Sequence, residues 1–440
     1  MASLSESEVK DIQKAVFTLI GEGELEQASN LLETLLSHNP NDGIALNFMG
    51  VIHLELQNFH LAYQYFRRAT QETPTAAPVW TNFGLAAHEL GRNDEAIKCY
   101  LHSAQLNNEY VKAYVNAAAV FIEESRWEDA EKACNIALQI DPASDLAKKN
   151  LAHVYLARHD WKTGWEYWEL ALGCKYRKEW IYGDEKRWDG SKGQAVVVYG
   201  EQGLGDEIMY ASVIPDAMAD CKKVIIDCDP RLAKLFARSF PEAEVHGTRR
   251  DPNPEWLKDA RIDARCAISS LPGFYRNKDE DFPGTPYLKA DPELVRMFKA
   301  MWNGKKAIGL CTHGGSKLTG ESWRKLRPED FSPIFSTDAV FVSLDYKGAL
   351  GHPKIKELPW ATQVSDYDLT AALIASLDVA IGINTTAMLC ADALGIVTHT
   401  LVPAWHDWRH EGENLWSKSN NSYLQKKGES WRDVIKRIQL

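Results

Sequence analysis

Trp80-Thr-Asn-Phe-Gly-Leu-Ala-Ala-His-Glu-Leu-Gly-Arg-Asn-Asp-Glu-Ala-Ile-Lys-Cys-Tyr100 holds small and large apolar residues at positions that recur every 34 residues along the first part of the chain. Ala96 belongs to the series Ala28, Ala62, Ala96, Ala130, continued by Gly164. Tyr100 belongs to Leu32, Phe66, Tyr100, Cys134, Trp168, and Gly84 to Gly50, Gly84, Ala118, Ala152. A further series runs Pro40, Pro74, Asn108, Pro142. Several in-phase series of this length define a repeat architecture. Small residues fit where two helices cross closely, a large apolar residue fills the next layer, and proline ends the second helix.

These residues, Trp80, Phe83, Gly84, Ala96 and Tyr100 above all, resemble the tetratricopeptide repeat. The reading assigns residues 1–178 to an array of about five units, a helical solenoid. Its fifth unit, rich in Trp161, Trp165 and Trp168, suits a cap that packs on the next domain. Asn82, Asn116 and Asn150 lie 34 apart on the first helix of successive units. Such a ladder of amides either hydrogen-bonds an extended acceptor peptide or ties neighbouring units together. It resembles the asparagine ladder of O-GlcNAc transferases, which implies a protein or peptide partner.

From Gln194 the pattern changes. Ala195-Val-Val-Val-Tyr199 reads as a buried strand, Gly200-Glu-Gln-Gly-Leu-Gly-Asp206 as a loop, and about 207–219 as a helix. A strand at Val224–Cys228 and a helix at Arg231–Ser239 complete a parallel unit of the doubly wound type. A second such region begins at Ala307–Thr312. Strands are expected at Val340–Leu344 and Val379–Gly382, and helices at Leu369–Leu377 and Ala387–Leu394. Two lobes follow, 188–290 and 291–440, with Pro283–Asp291 as hinge and a ligand cleft at the carboxyl ends of the strands. Gly203 and Gly205 would let backbone N–H groups approach an anionic or hydroxylated ligand. Their spacing is not the dinucleotide fingerprint, and no P-loop lysine follows.

The stretch Tyr199-Gly-Glu-Gln-Gly-Leu-Gly-Asp-Glu207 resembles the signature loop of repeat-fused proteins related to glycosyltransferase family nine, the heptosyltransferases. Ser269-Ser-Leu-Pro272, Pro286–Asp291, Ile308-Gly-Leu310, Ser343-Leu-Asp345, Asp368–Asp378 and Asp407-Trp-Arg409 agree in order, over roughly residues 188–440. The resemblance implies a GT-B-like, two-lobed, metal-independent, inverting transferase that moves a sugar from a nucleotide-diphosphate sugar to a protein or glycan acceptor hydroxyl. It implies Asp206 as general base, against the alternative that Asp206 only caps a helix. On the donor side Thr385 and Thr386 open a helix after a strand, and His313, Lys317 and Arg324 follow another strand. Each is either a contact for the leaving diphosphate or an ordinary surface residue. Trp405 and Trp408 would stack on a sugar or base, with Arg409 on phosphate, or would belong to an aromatic core. The family's Asp-Thr-Ala/Gly is Asn384-Thr385-Thr386 here, and its following histidine is replaced near Met388-Leu389. The competing reading is therefore a protein-binding scaffold with a degenerate transferase-like half.

Composition sets limits. The 440 residues carry a net charge of −11, with 16 Lys/Arg against 24 Asp/Glu in residues 1–178. Neither half has the basic excess of a nucleic-acid or anionic-membrane binder. No charge-free apolar run is long enough to span a bilayer, and no secretory signal is visible. The eight cysteines form no C-x-x-C pair, and the thirteen histidines show no ligand spacing, so the reading is buried thiols in the cytoplasm and no metal site.

Overall fold

A computed structural model describes residues 5–174, 177–258, 261–314, 324–346, 350–404, 408–410, 412 and 414–440. It divides into two compact units, Met1–Val154 and Tyr155–Leu440.

The first unit is a run of antiparallel helix pairs, from Glu6–Glu22 and Leu25–His38 to Asp145–Ala157, which crosses the unit boundary. The 34-residue series explains the packing. Ala28, Ala62, Ala96 and Ala130 are fully buried where paired helices cross. A Cβ on Gly50 would lie 2.5 Å from the Phe66 ring, and one on Gly84 2.6 Å from the Tyr100 ring. Both glycines are therefore required by the aromatic residue that follows sixteen positions later. In the next unit the pair becomes Ala118 and Cys134, a larger residue facing a smaller one.

The second unit begins with a helix, Trp161–Leu170, that the periodicity assigns to the array. Its phase does continue the repeat, but its tryptophans are satisfied elsewhere. Trp161 Nε1 donates to Asp279 at 2.7 Å, Trp165 Nε1 to the Arg276 carbonyl at 2.7 Å, and Trp168 Nε1 to Ser269 at 3.1 Å. The array expected to run to residue 178 thus divides from the rest at 154, because these partners lie in the α/β unit.

Two wholly parallel sheets follow. The first contains β1 (Lys186–Arg187), β2 (Ala195–Tyr199), β3 (Lys223–Asp227), β4 (Glu244–His246) and β5 (Ala264–Ala267), in spatial order β1-β5-β2-β3-β4. The second contains β6 (Lys306–Cys311), β7 (Ala339–Ser343), β8 (Ile355–Lys356), β9 (Val379–Ile383), β10 (Val397–Val402) and β11 (Asn420–Leu424), in order β11-β10-β9-β6-β7-β8. Counted from its first strand, the second sheet has the 3-2-1-4-5-6 order of doubly wound dinucleotide folds, and β2–β5 repeat its 3-2-1-4 part. Strand β2 is buried at all five positions, as parallel strands covered on both faces must be. Ile308, Leu310, Ile381, Ile383 and Leu401 share the core of the second sheet with Phe331, Phe341 and Val434.

Order reverses between β2 and β5 in one sheet and between β6 and β9 in the other. Ligands of such sheets bind at the carboxyl ends of those strand pairs. The first pair ends at Glu201-Gln202 and Ser269-Ser270, the second at Thr312-His313 and Asn384-Thr385.

Among the described residues no helix is long and apolar enough to cross a membrane, and no three His, Cys, Asp or Glu side chains are grouped as metal ligands. All eight cysteines are free, and all but the half-buried Cys221 are buried.

Candidate functional site

The glycine-rich loop turns into helix earlier than the sequence suggests. The helix runs Leu204–Tyr210, with Gly203 as its extended N-cap residue, and a single 3-10 turn links it to Ile214–Asp220. Asp206 therefore sits inside the first turn, and the Gly203 N–H donates to its Oδ2 at 3.1 Å. That satisfies one of the amides otherwise left open at a helix start. Its other oxygen, Oδ1, accepts from Arg409 at 2.9 Å. The structure thus joins two residues singled out for opposite sides of a cleft.

Gly205 does not face an open ligand space. A Cβ there would lie 3.1 Å from Leu389 Cδ1 and 3.3 Å from Thr386 Oγ1. The helices Leu204–Tyr210 and Thr386–Leu394 meet directly at this point, and the glycine is what lets them. Thr386 is thereby occupied in packing, while the Thr385 hydroxyl accepts from Met388 N–H at 3.3 Å as helix cap. Leu389, where the resembled family has a histidine, fills the contact with Gly205.

Around β6 and β9 the polar residues are chained together. Arg324 donates to the Asn384 carbonyl, and Asn384 Nδ2 lies 2.7 Å from His410 Nε2. His410 follows Arg409 in the same short 3-10 turn, Trp408–His410, so one segment brings both side chains to this region. Thr312 donates its hydroxyl to Asp345 at 2.6 Å and its N–H at 3.0 Å, and its oxygen lies 2.6 Å from His313 Nδ1. Arg324, Asn384, His410, Arg409 and Asp206 therefore form one run of neighbours, with His313 beside it. Lys317, Trp405 and Asp407 lie outside the described residues.

Trp408 is not a stacking platform. It is 3% exposed and packs edge-on against Trp165 at 5.7 Å and Trp161 at 6.3 Å, with Trp416 at 6.4 Å. A ring buried in an aromatic cluster offers no face to a sugar.

Sequence reasoning missed the buried ionisable groups behind the loop. Glu207 is fully buried and accepts the Asp229 N–H at 2.9 Å. It is paired with Arg249, which also donates to the Gln202 carbonyl and to Asp229, both at 2.8 Å. Gly200 is required here, since a Cβ would meet the Glu207 carboxyl. Glu201 and Arg177 form a second buried pair at 3.5 Å, beside Ser269 and Ser270. This pair and Trp168 fill the carboxyl end of β2 and β5. The signal available was Gly200 directly after a strand; the arginine partners come from distant segments.

Burial pushes the Glu207 carboxyl up to about 8, against the pull of Arg249. The native state then holds a proton that the unfolded chain releases near 4.5, so stability falls as pH rises from about 4.5 to about 8. Glu207→Gln is expected to flatten that fall, by on the order of 1 kcal/mol per pH unit at its steepest. Urea unfolding of both forms across this window measures it, and parallel profiles would contradict the assignment.

In the array, Asn82 Nδ2 donates to Asn47 Oδ1 at 3.0 Å and Asn150 Nδ2 to the Val115 carbonyl at 3.2 Å. These two amides each reach back to the preceding unit, which is the second of the two roles open to the ladder. Asn116 is half-buried in the same register.

A cavity of about 800 Å³ lies away from all these residues, lined by Lys234, Arg238, Asp291, Asp366 and Asp368. Arg238 pairs with Asp368 at 2.5 Å and Lys234 with Asp366 at 2.5 Å across it.

Comparison with known proteins decides the first half. Tetratricopeptide repeat models match residues 18–77 and 77–110. Residues 18–110 are tetratricopeptide repeats. Repeats of this kind build extended surfaces suited to protein partners. Over most of its length the chain is similar to protein FlbA of Caulobacter vibrioides, at 28% identity, covering 91% of this chain and 72% of the relative. Human tetratricopeptide repeat protein 6 is 26% identical over 31% of this chain, which spans about a quarter (26%) of that protein. Among solved structures, MamA covers 35% of this chain with a TM-score of 0.33 and 18% identity. PilF of Pseudomonas aeruginosa covers 53% with a TM-score of 0.38 and 16% identity.

Proposed function

We propose that this chain moves a sugar from a nucleotide-diphosphate sugar to a hydroxyl of a protein held by the tetratricopeptide array. The observation that carries the reading is the Asp206–Arg409 pair, which joins the end of the first doubly wound sheet to a segment beside the switch point of the second. A carboxylate and a guanidinium side by side at that place suit proton removal from an acceptor hydroxyl and neutralisation of a leaving phosphate. Asn384, His410, Arg324 and His313 supply further polar groups without a metal. The fold assigned to this reading is GT-B-like, and no cofactor is required by it.

A second reading has its own observation. Both oxygens of Asp206 are engaged, and Gly205 is packed against Leu389 and Thr386. That arrangement favours a repeat-based protein-binding scaffold whose transferase-like half no longer turns over.

A thermal-shift panel with millimolar UDP, GDP, ADP, CMP and TDP, without metal, separates them. A nucleotide at 100 times its Kd stabilises the native state by about 2.7 kcal/mol, a shift of several degrees in the α/β transition. One clear responder is expected and names the donor class. A flat panel leaves the scaffold reading standing alone.

A further inference from the structure

Val51 and Glu55 stand one turn apart on the helix Gly43–Glu55, Leu85 and Glu89 on Ala77–Glu89, and Ala119 and Glu123 on Val111–Glu123. These first helices of successive units are neighbours: Asn82 Nδ2 donates to Asn47, and His88 Nε2 lies 2.7 Å from Glu123 Oε2. Two rows therefore cross them side by side. The apolar row Val51, Leu85, Ala119 starts one unit earlier at Phe17, whose ring is 70% exposed and so contributes little to the core. The second row is Glu55, Glu89 and Glu123, spaced by 34 residues.

Each of the three glutamates closes its helix. An acid there meets the negative end of the helix dipole, so the placement costs stability, and it recurs in register in three successive units. The helices Gly43–Glu55 and Ala77–Glu89 contain no Lys or Arg to offset it. His88 answers Glu123, but among the described residues Glu55 and Glu89 have no ion pair, and both are open to solvent. Partial burial raises the Glu89 carboxyl above its ordinary range, with His88 opposing and the Glu123 charge adding to the rise. A cation beside it would relieve this.

A chain that carries cations at the spacing of the helices answers the whole row. Packed helices stand about 8–10 Å apart, and a polyproline-II segment advances about 9 Å in three residues. A Lys or Arg at every third position then meets one helix end after another, and the residues between them lie along the apolar row. The excess of acids in residues 1–178, 24 against 16 Lys/Arg, draws such a chain in.

We propose that Glu55, Glu89 and Glu123, with the apolar row beside them, dock an extended segment of a partner protein that carries Lys or Arg at every third position and apolar residues between. The inference rests on the part of the proposed function in which the array holds a protein, and it adds the chemistry of what is held.

The test uses the full chain with a twelve-residue peptide that repeats Lys-Leu-Pro, and with its counterpart that repeats Glu-Leu-Pro. Titration gives Kd, and melting without peptide gives stability. The lysine peptide is expected to bind, more weakly as salt rises, and the glutamate peptide is expected not to. Glu55→Gln and Glu89→Gln each raise Kd about threefold and together about tenfold. The array of the double variant melts at or above the wild-type temperature, because two helix ends lose an unfavourable charge. Glu26→Gln with Glu33→Gln, two exposed acids of the second helix Leu25–His38, leaves Kd within twofold. A wild type that binds neither peptide, or both equally, overturns the inference. So does a Glu55→Gln, Glu89→Gln chain that binds within twofold of wild type, or a control pair that weakens binding as much, since diffuse charge is then the cause. An array that melts lower in the double variant makes the glutamates structural and overturns it as well. None of these titrations needs a nucleotide, so a flat nucleotide panel removes the transferase reading and leaves this inference standing.

Discussion

Under the proposed transferase function, Asp206→Asn is expected to lower sugar transfer by about 10²–10⁴-fold while nucleotide affinity stays within a few-fold of wild type. The carboxylate holds two partners, the Gly203 N–H and Arg409. An asparagine can keep the first through its one oxygen. Its amide nitrogen, a donor, then faces the Arg409 guanidinium, also a donor, and the pair is lost. Because both side chains are about one-fifth exposed (22% and 18%), the stability lost with the ion pair is small, about 1 kcal/mol. A large fall in turnover with a small fall in melting temperature separates a reacting carboxylate from a capping one. Turnover unchanged in Asp206→Asn would remove Asp206 from the chemistry and leave it as helix cap. Single-turnover transfer and nucleotide titration on the same preparation measure both quantities.

The largest effect on stability is expected at Gly382. This residue lies in β9, paired with Cys311 of β6 at the centre of the second sheet. A Cβ there would stand 2.3 Å from the Cys311 carbonyl oxygen and 2.8 Å from its nitrogen. Those are backbone atoms of the neighbouring strand, so no rotamer change relieves the contact. Gly382→Ala should cost about 3 kcal/mol or more, the upper end of what overpacking does to a core. The loss should fall on the transition of the unit Tyr155–Leu440, with the transition of the helical array little moved. Calorimetry of the full chain reads the two separately, and an unshifted α/β transition would contradict the packing described.

The repeat phase and the core strands are legible because each follows from a period. The 34-residue series predicts which residues are buried, and Ala28, Ala62, Ala96 and Ala130 are. The run of apolar residues at 195–199 coincides with β2, and the expected strands near 224, 307, 340 and 379 differ from the observed ones by one residue at their ends. Other features are harder to read in the sequence, for physical reasons. The helix at Leu204 reads as loop because its first turn contains Gly205, which weakens a helix but is needed for the contact with Leu389. The helix Trp161–Leu170 keeps the repeat's spacing and packs on the next domain as the expected cap would, but which residues its indole N–H groups bind, a hundred positions away, is set by the tertiary fold. Strand β5, Ala264-Arg-Cys-Ala267, carries an arginine and is too short for periodicity to reveal. At the site, Asp206 and Arg409 each stand in a recognisable motif, yet their pairing depends on the tertiary fold. The ionisable side chains Glu207, Arg249, Glu201 and Arg177 stay hidden because an acid beside a glycine loop looks exposed in sequence.

The strand orders also bear on synthesis. In each sheet the two strands that meet at the switch point are far apart in the chain: Val196 pairs with Ala264, and Ile308 with Val379. A ribosome delivering about 5–20 residues per second exposes β2 several seconds before β5 exists to cover its open edge. The helical array, built from contacts between neighbours, needs no such wait. During that interval the apolar Ala195–Tyr199 segment is open to wrong pairing, as Ala307–Cys311 is while it waits for β9, and a chaperone bound to β2 would protect the first sheet's assembly.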